Sequence, residues 1–298
     1  MQTPWPSPEP RMDQAAGLST MNRKKPVNVI AVTGGKGGVG KTSVAINLAL
    51  SLRLAGREVM LLDADLGLAN VDVLLGLQPA FNLSHVLEGK CKLADTILQG
   101  PLGLQIVPAS SGQQRMAELS HAEHAGLVRA FSELDRPLDT LIIDTAAGIS
   151  DSVVTFTQAA QEVLVVVCNE PASLTDAYAL IKVLSRDHGV SRLQVVPNMV
   201  RHASEGRELF DNLSRVADRF LDVTLGFPGA IPYDDLLRKS IQKQRAVVEA
   251  YPNSPASLAF RALARRAEQW TPPEGARGPL EFFVERLVDR TPSAAATA

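Results

Sequence analysis

Cysteine is nearly absent from this 298-residue chain, and Cys91 and Cys168 stand far apart in no C-x-x-C spacing. That argues against a cysteine-held metal site and for reduced thiols in the cytosol. No apolar run of about 18 residues occurs, so no segment is expected to span a bilayer as a helix. The N-terminus is Pro-rich and polar and lacks the apolar core of a secretory signal. Charge of one sign is also missing: 30 Lys+Arg against 32 Asp+Glu leave a net charge of −2. That excludes a global pull toward nucleic acid and leaves room only for a local basic patch. No internal repeat is present. What remains is a soluble globular composition, 45% apolar and 21% charged, with the length for one large core.

Residues 1–25 read as a flexible arm, and a globular pattern begins at the apolar run Val27–Thr33. Further strands are expected at Glu58–Asp63, Leu104–Pro108, Thr140–Asp144, Glu162–Cys168, Arg192–Pro197 and Val223–Ile231. Helices are expected between most of them. Thr42–Ala55 closes at Gly56, and the capping boxes Ser120–Glu123 and Ser173–Asp176 open helices reaching Glu133 and Asp187. A helical finish runs over about Asp234–Gln269, ending a domain of residues 26–270. Strand–helix alternation with continuously apolar strands predicts an α/β, doubly wound, mostly parallel sheet covered on both faces. Ligands of such sheets sit at the carboxyl ends of the strands.

At the end of the first strand stands "GGKGGVGKTS", Gly34–Ser43, in which Gly35, Gly40, Lys41 and Thr42 fit the G-x-x-x-x-G-K-[ST] phosphate loop. Glycines let backbone N–H groups wrap phosphates and the helix N-terminus adds positive potential. Lys41 reaches the β- and γ-phosphates, and the Thr42 hydroxyl ligates Mg²⁺. Two further strands end on carboxylates, Asp63 and Asp65 in "MLLDADLGLANVD" and Asp144 in "LIIDTAAGI". Strand-tip acids beside a phosphate loop suit Mg²⁺ binding and water positioning. Guanine readers carry Asn-Lys-x-Asp, and "PNMVR" around Asn198 has neither the Lys nor the Asp, which favours ATP.

"KGGVGKT" at Lys36–Thr42 resembles the deviant phosphate loop of the MinD/ParA ATPases, and "DADLGLANVD" and "DTAAGI" resemble their two switches in order and spacing. The resemblance covers about Val27–Glu268 and implies a P-loop ATPase that uses ATP and Mg²⁺ and forms a homodimer on ATP binding. By position it implies nucleotide contacts at Gly35, Gly37, Gly38, Val39, Gly40, Lys41, Thr42 and Ser43. Lys36 becomes an in-trans lysine that crosses to the partner's nucleotide, and Lys41 the in-cis one. Thr42, Asp63 and Asp144 surround the metal, the Asp side chains acting through water. Asp65 orients the attacking water, and Asn70 lies at the dimer face. Asn198, Pro232 and Asp234 lie around adenine.

Within that family, iron-protein relatives need cluster cysteines that are missing. Tyrosine-kinase relatives need a tyrosine-rich tail, whereas Tyr178, Tyr233 and Tyr251 all lie before it. "DAYALIKVLSRDHG" and "IPYDDLLRKSIQKQRAVVEAYP" resemble the FlhG/FleN group, ATPases that limit flagellar number. That likeness implies restraint of a flagellar enhancer-binding transcription activator (FleQ/FlrA-type) and action with the FlhF GTPase. No sequence-specific DNA binding of its own is expected. A DNA- or membrane-binding partition or positioning ATPase is the alternative.

Both ends carry further expectations. Asp13–Ser19 is similar to the DQAxxLR segment that stimulates FlhF, with Ser19 in place of the arginine. After a linker at 271–279, residues 280–290 form an amphipathic helix about 16 Å long, too short to cross a bilayer and able to lie in its interface. Leu280, Phe283, Val284, Leu287 and Val288 share its apolar face, Phe282 breaks the pattern, and residues 291–298 are a tail. The helix either binds membrane or partner, giving a cytoplasmic protein reversibly peripheral at the inner membrane face, or docks on its own domain. His121 and His124, at i, i+3 without a third ligand, read as surface residues.

Overall fold

The structure, a computed structural model, describes residues 27–110, 119–270 and 282. The chain enters through β1 (Asn28–Thr33), passes the glycine loop into α1 (Lys41–Leu54), and returns in β2 (Val59–Ala64). Three short helices follow, α2 (Val71–Leu74), α3 (Leu83–Leu87) and α4 (Leu93–Thr96), then β3 (Leu98–Gln99) and β4 (Gln105–Val107). The second half alternates regularly: α5 (His121–Ser132), β5 (Thr140–Thr145), α6 (Asp151–Gln158), β6 (Glu162–Val167), α7 (Pro171–Arg186), β7 (Arg192–Pro197), α8 (Ala203–Phe220) and β8 (Thr224–Gly226). It closes with α9 (Asp235–Gln242), α10 (Val247–Ala250) and α11 (Pro255–Ala267).

The strands form one eight-stranded sheet, order β3-β4-β2-β5-β1-β6-β7-β8, parallel throughout except for the antiparallel edge β3. The doubly wound reading holds. Side chains alternate across the sheet, so Ile30, Val32 and Leu61 face α1, α10 and α11, whereas Val29, Ala31, Met60 and Leu62 face α5 and Phe156. A third cluster packs β6 and β7 against α7 and α8. Helix α1 is buried along most of its length because α11 covers the side turned away from the sheet. Gly56, at φ 84, reverses its chain, with Arg57 N–H reaching Leu52 O at 3.1 Å.

Several expected elements shift. The Val223–Ile231 strand shrinks to β8, because Pro228 has no N–H to donate and Gly229 turns at φ 125. The Ser120 box is formed, its hydroxyl accepting Glu123 N–H at 3.3 Å and its N–H donating to Glu123 Oε2 at 2.9 Å. The Ser173 box is not: α7 starts at Pro171 behind Glu170, and the Ser173 hydroxyl accepts Cys168 N–H at 3.1 Å. Proline is preorganised for a first helical position. His124 is corrected from surface to core: it is buried edge-on to Phe156, with Nδ1 at 3.1 Å from Ser120 O. The arm, the linker, the tail and Leu280, Phe283, Val284, Leu287 and Val288 lie outside the described residues. Phe282 is described and fully buried, edge-on to Phe131 and stacked on Phe156, with its N–H 3.3 Å from Ala159 O.

Candidate functional site

Parallel register gathers the site. Asp63 at the end of β2 pairs with Asp144 on β5, and Val32 of β1 pairs with the same Asp144, so three strand ends place the glycine loop beside two carboxylates. The loop is tight where it backs onto protein and open where a ligand would lie. A Cβ at Gly35 would stand 2.2 Å from the backbone of Asp176 on α7, and one at Gly40 2.4 Å from Asn198 Nδ2. A Cβ at Gly37 or Gly38 meets nothing within 4 Å. Gly38 and Gly40 take φ 80 and 90, which side-chain-bearing residues rarely adopt.

Lys41 is buried at the first turn of α1, its Nζ 3.4 Å from Lys36 O. Burial lowers its pKa, and Asp144 and Asp65 oppose that shift. Thr42 hydrogen-bonds Asp144, and the other carboxylate oxygen, Oδ1, is buried with no hydrogen-bond partner among the described residues. Burial first, then the charge of Asp63, raises the Asp144 pKa well above the ordinary carboxylate range. An unpartnered carboxylate oxygen beside a loop threonine is the donor set a Mg²⁺ ion needs. The residues present therefore fit a magnesium–nucleotide pair.

Asp63 does more than the sequence suggested. Its oxygens accept N–H bonds from Asp65 at 3.2 Å, Asn70 at 2.9 Å and Val71 at 3.1 Å, so it anchors the whole first switch. Burial nevertheless pushes its pKa up to about 7. Asp65 is half-buried and accepts Leu68 N–H at 3.1 Å, and Asn70 is exposed on the same loop. The second switch is tied to the loop by Gly148 N–H to Gly34 O at 3.1 Å.

The resemblance sends Lys36 out of its own subunit. Within one chain its Nζ sits 2.6 Å from Glu170 Oε2, and that hydrogen bond raises its pKa. Sequence reasoning missed Glu170, although its place just beyond β6 was the available signal. Asn198 is buried, donates from Nδ2 to Val39 O at 2.8 Å, and leaves Oδ1 without a partner among the described residues. Pro232 bridges to Val200 beside it. Asp234 is occupied differently from its expected adenine role. Its two oxygens accept Leu236 N–H at 2.8 Å and Ala256 N–H at 3.0 Å, capping α9 and α11 together.

A glycine loop leading into a helix, with carboxylates at adjacent parallel strand ends, defines a P-loop nucleotide-binding protein. The chain belongs to the CobQ/CobB/MinD/ParA nucleotide-binding family, whose domain it matches over residues 30–247. It is 62% identical to antiactivator FleN of Pseudomonas aeruginosa, over 91% of this chain and 97% of that one. It is 34% identical to the flagellum site-determining protein YlxH of Helicobacter pylori, over 83% of both chains. Its fold matches the septum site-determining protein MinD of Pyrococcus horikoshii complexed with Mg-ADP, with a TM-score of 0.69, 25% identity and coverage of 82% and 97%. It is an ATPase of the MinD/ParA kind, and ATP and Mg²⁺ are its cofactors.

Proposed function

We propose that the protein is an ATP-gated dimerising switch that limits flagellar number by restraining a flagellar enhancer-binding transcription activator. The similarity to antiactivator FleN along nearly the full length of both chains carries this reading. Thr42, Asp63 and Asp144 would hold Mg²⁺, the two aspartates through water, and the ion would supply positive charge to the nucleotide's phosphates. Lys41 holds those phosphates in cis, and Asp65 orients the attacking water. Lys36 leaves Glu170 for the partner's γ-phosphate, where a cation supplied in trans stabilises developing charge. Because that lysine closes the pocket only between two subunits, dimerisation and ATP occupancy favour one another by linkage.

Asn198 and the turn at Pro232 border the adenine, with Asp234 fixing that turn through its helix caps. The FlhF GTPase is a second partner. The segment holding Phe282 docks on the domain in the monomer and turns to the membrane in the ATP dimer, making the protein reversibly peripheral. The likeness to MinD favours one other reading, a cell-positioning ATPase.

The test is a pull-down of the purified activator by full-length protein loaded with ADP or a non-hydrolysable ATP analogue. Nucleotide-dependent capture is expected. Equal absence of the activator from both samples would reject the regulatory reading.

A further inference from the structure

Two loops at the carboxyl ends of neighbouring strands carry different parts of the site. The loop after β6 holds Glu170, whose carboxylate lies 2.6 Å from Lys36 Nζ. The loop after β7 holds Asn198 and runs on into α8. One side chain from the first turn of α8 joins the two. Glu205 Oε1 accepts Asn169 Nδ2 at 2.6 Å, and Oε2 accepts the Arg201 N–H at 2.6 Å, with His202 Nδ1 3.6 Å away. The Glu205 side chain is 13% exposed, so water competes little for these bonds. The Arg201 N–H first, then the Asn169 amide, holds its pKa below the ordinary value.

The loop after β7 has one place that can yield. Asn198 is fixed by its N–H to Val167 O at 2.7 Å and its Nδ2 to Val39 O at 2.8 Å, and Val200 by its N–H to Ile231 O at 3.1 Å. Met199 between them takes φ 59, uncommon for a residue with a side chain, and is 43% exposed. Its Cε lies along the glycine loop, 3.4 Å from where a Cβ on Gly40 would stand. The neighbouring Asn198 Oδ1 is buried and without a partner among the described residues. A strained residue thus stands next to an open acceptor.

From this we infer that Glu205 is a positioning residue that couples base binding to the hold on Lys36. A base donating to Asn198 Oδ1 displaces Met199, and the Arg201 N–H two residues on shifts against Glu205. Asn169 follows the carboxylate and carries Glu170 with it. The two side chains of the Lys36–Glu170 pair are 38% and 57% exposed, and an exposed pair is weak enough for a small displacement to open. Lys36 is then released by the base end of the nucleotide, independently of the γ-phosphate. The inference deepens the switch reading above and rests on it for where the base lies.

Helix capping alone does not account for the arrangement. The N-cap of α8 is His202, whose side chain makes no capping bond. An acid in the first turn serves a helix start by accepting an N–H just ahead of the helix, and Arg201 supplies that N–H. The Asn169 bond comes from 36 residues away, and the helix start does not need it. Asn169→Ala therefore cuts the link between the loops and leaves the cap in place.

The experiment is amine labelling of the full-length protein with acetic anhydride. The Lys36 rate is read by mass spectrometry with and without saturating adenosine, which carries the base and no phosphate. In the parent, Lys36 should label about two- to fivefold faster with adenosine, the range an exposed ion pair covers. In N169A it should label at the fast rate under both conditions, a rate calibrated with E170Q. An unchanged melting temperature of N169A shows that the cap and the fold are intact. Adenosine that binds by calorimetry and leaves the parent rate unchanged overturns the proposal. So does an N169A protein that keeps the parent's slow rate and its response. Pairing is read separately, by size-exclusion chromatography with a non-hydrolysable ATP analogue. A parent that pairs while its Lys36 ignores adenosine loses the coupling and keeps the switch reading. A parent that responds to adenosine and does not pair loses the switch reading and keeps the coupling.

Discussion

Asp63 and Asp144 are adjacent carboxylates with almost no water around them, and without a cation both resist ionisation. Asp63 has its pKa raised by burial to about 7, against an unfolded value of about 3.9. A folded state that holds a proton the unfolded state has lost is weakened as pH rises between those two values. Metal-free protein is therefore expected to lose thermal stability between about pH 4 and pH 7. Asp63→Asn should flatten that slope, and Mg²⁺ with an ATP analogue should reverse it in the parent. A melting temperature in chelator that is equally pH-dependent in parent and variant would contradict this. Asp65 stands apart because it is half-buried and holds only the Leu68 turn. Asp65→Ala should keep the phosphate contacts and lose water positioning, so an ATP-loaded form accumulates. Normal turnover, measured as phosphate release, would remove Asp65 from the mechanism.

The glycine loop works as an element because α7 backs it. Adding a methyl group at Gly35 would drive a carbon into the Asp176 peptide at 2.2 Å, where no flexible side chain can yield. Overpacking of this kind costs about 1–3 kcal/mol, and the loop, unlike the helix, is free to give way. Gly35→Ala is expected to lower ATP affinity about tenfold or more while the melting temperature changes little, which titration calorimetry and thermal melts separate. This backing could not be read from the motif, which specifies a glycine without saying what lies behind it. The central parallel strands β1, β2, β5 and β6 were legible because they are buried on both faces and read as mostly apolar runs, whereas the outlying β8 is only half-buried. Helices α2, α3 and α4 escaped notice because four or five residues carry too little periodicity. The ion pair of Lys36 with Glu170 joins residues 134 apart and needed the fold to bring β1 and β6 together. Asp234 lies near the site by its neighbours, but its work as a double cap depends on the fold bringing the start of α11 against that of α9, a contact across 22 residues.

Across the whole molecule, one eight-residue helix links the nucleotide to the far C-terminal segment. Helix α6 opens directly after the second switch, whose Gly148 hydrogen-bonds the glycine loop, and its Phe156 stacks on Phe282. Just past its end, Ala159 O accepts the Phe282 N–H. A shift of α6 on ATP binding would disturb the ring contacts and the backbone bond of Phe282 together. The segment expected to be amphipathic at Leu280, Phe283, Val284, Leu287 and Val288 would then be available to an interface, and pairing in a dimer would multiply a weak single attachment. Phe282→Ala should therefore raise binding to anionic phospholipid vesicles in the ADP state toward the level of the ATP state. Truncation of residues 280–298 should abolish binding in both states. Lys36→Ala should bind nucleotide and remain a monomer, keeping Phe282 docked and vesicle binding low with ATP. Co-sedimentation of the three variants reads these outcomes together. A Phe282→Ala protein that stays in the supernatant with ADP would break the link between the aromatic anchor and the tail, and a dimeric Lys36→Ala protein would break the link between the lysine and pairing.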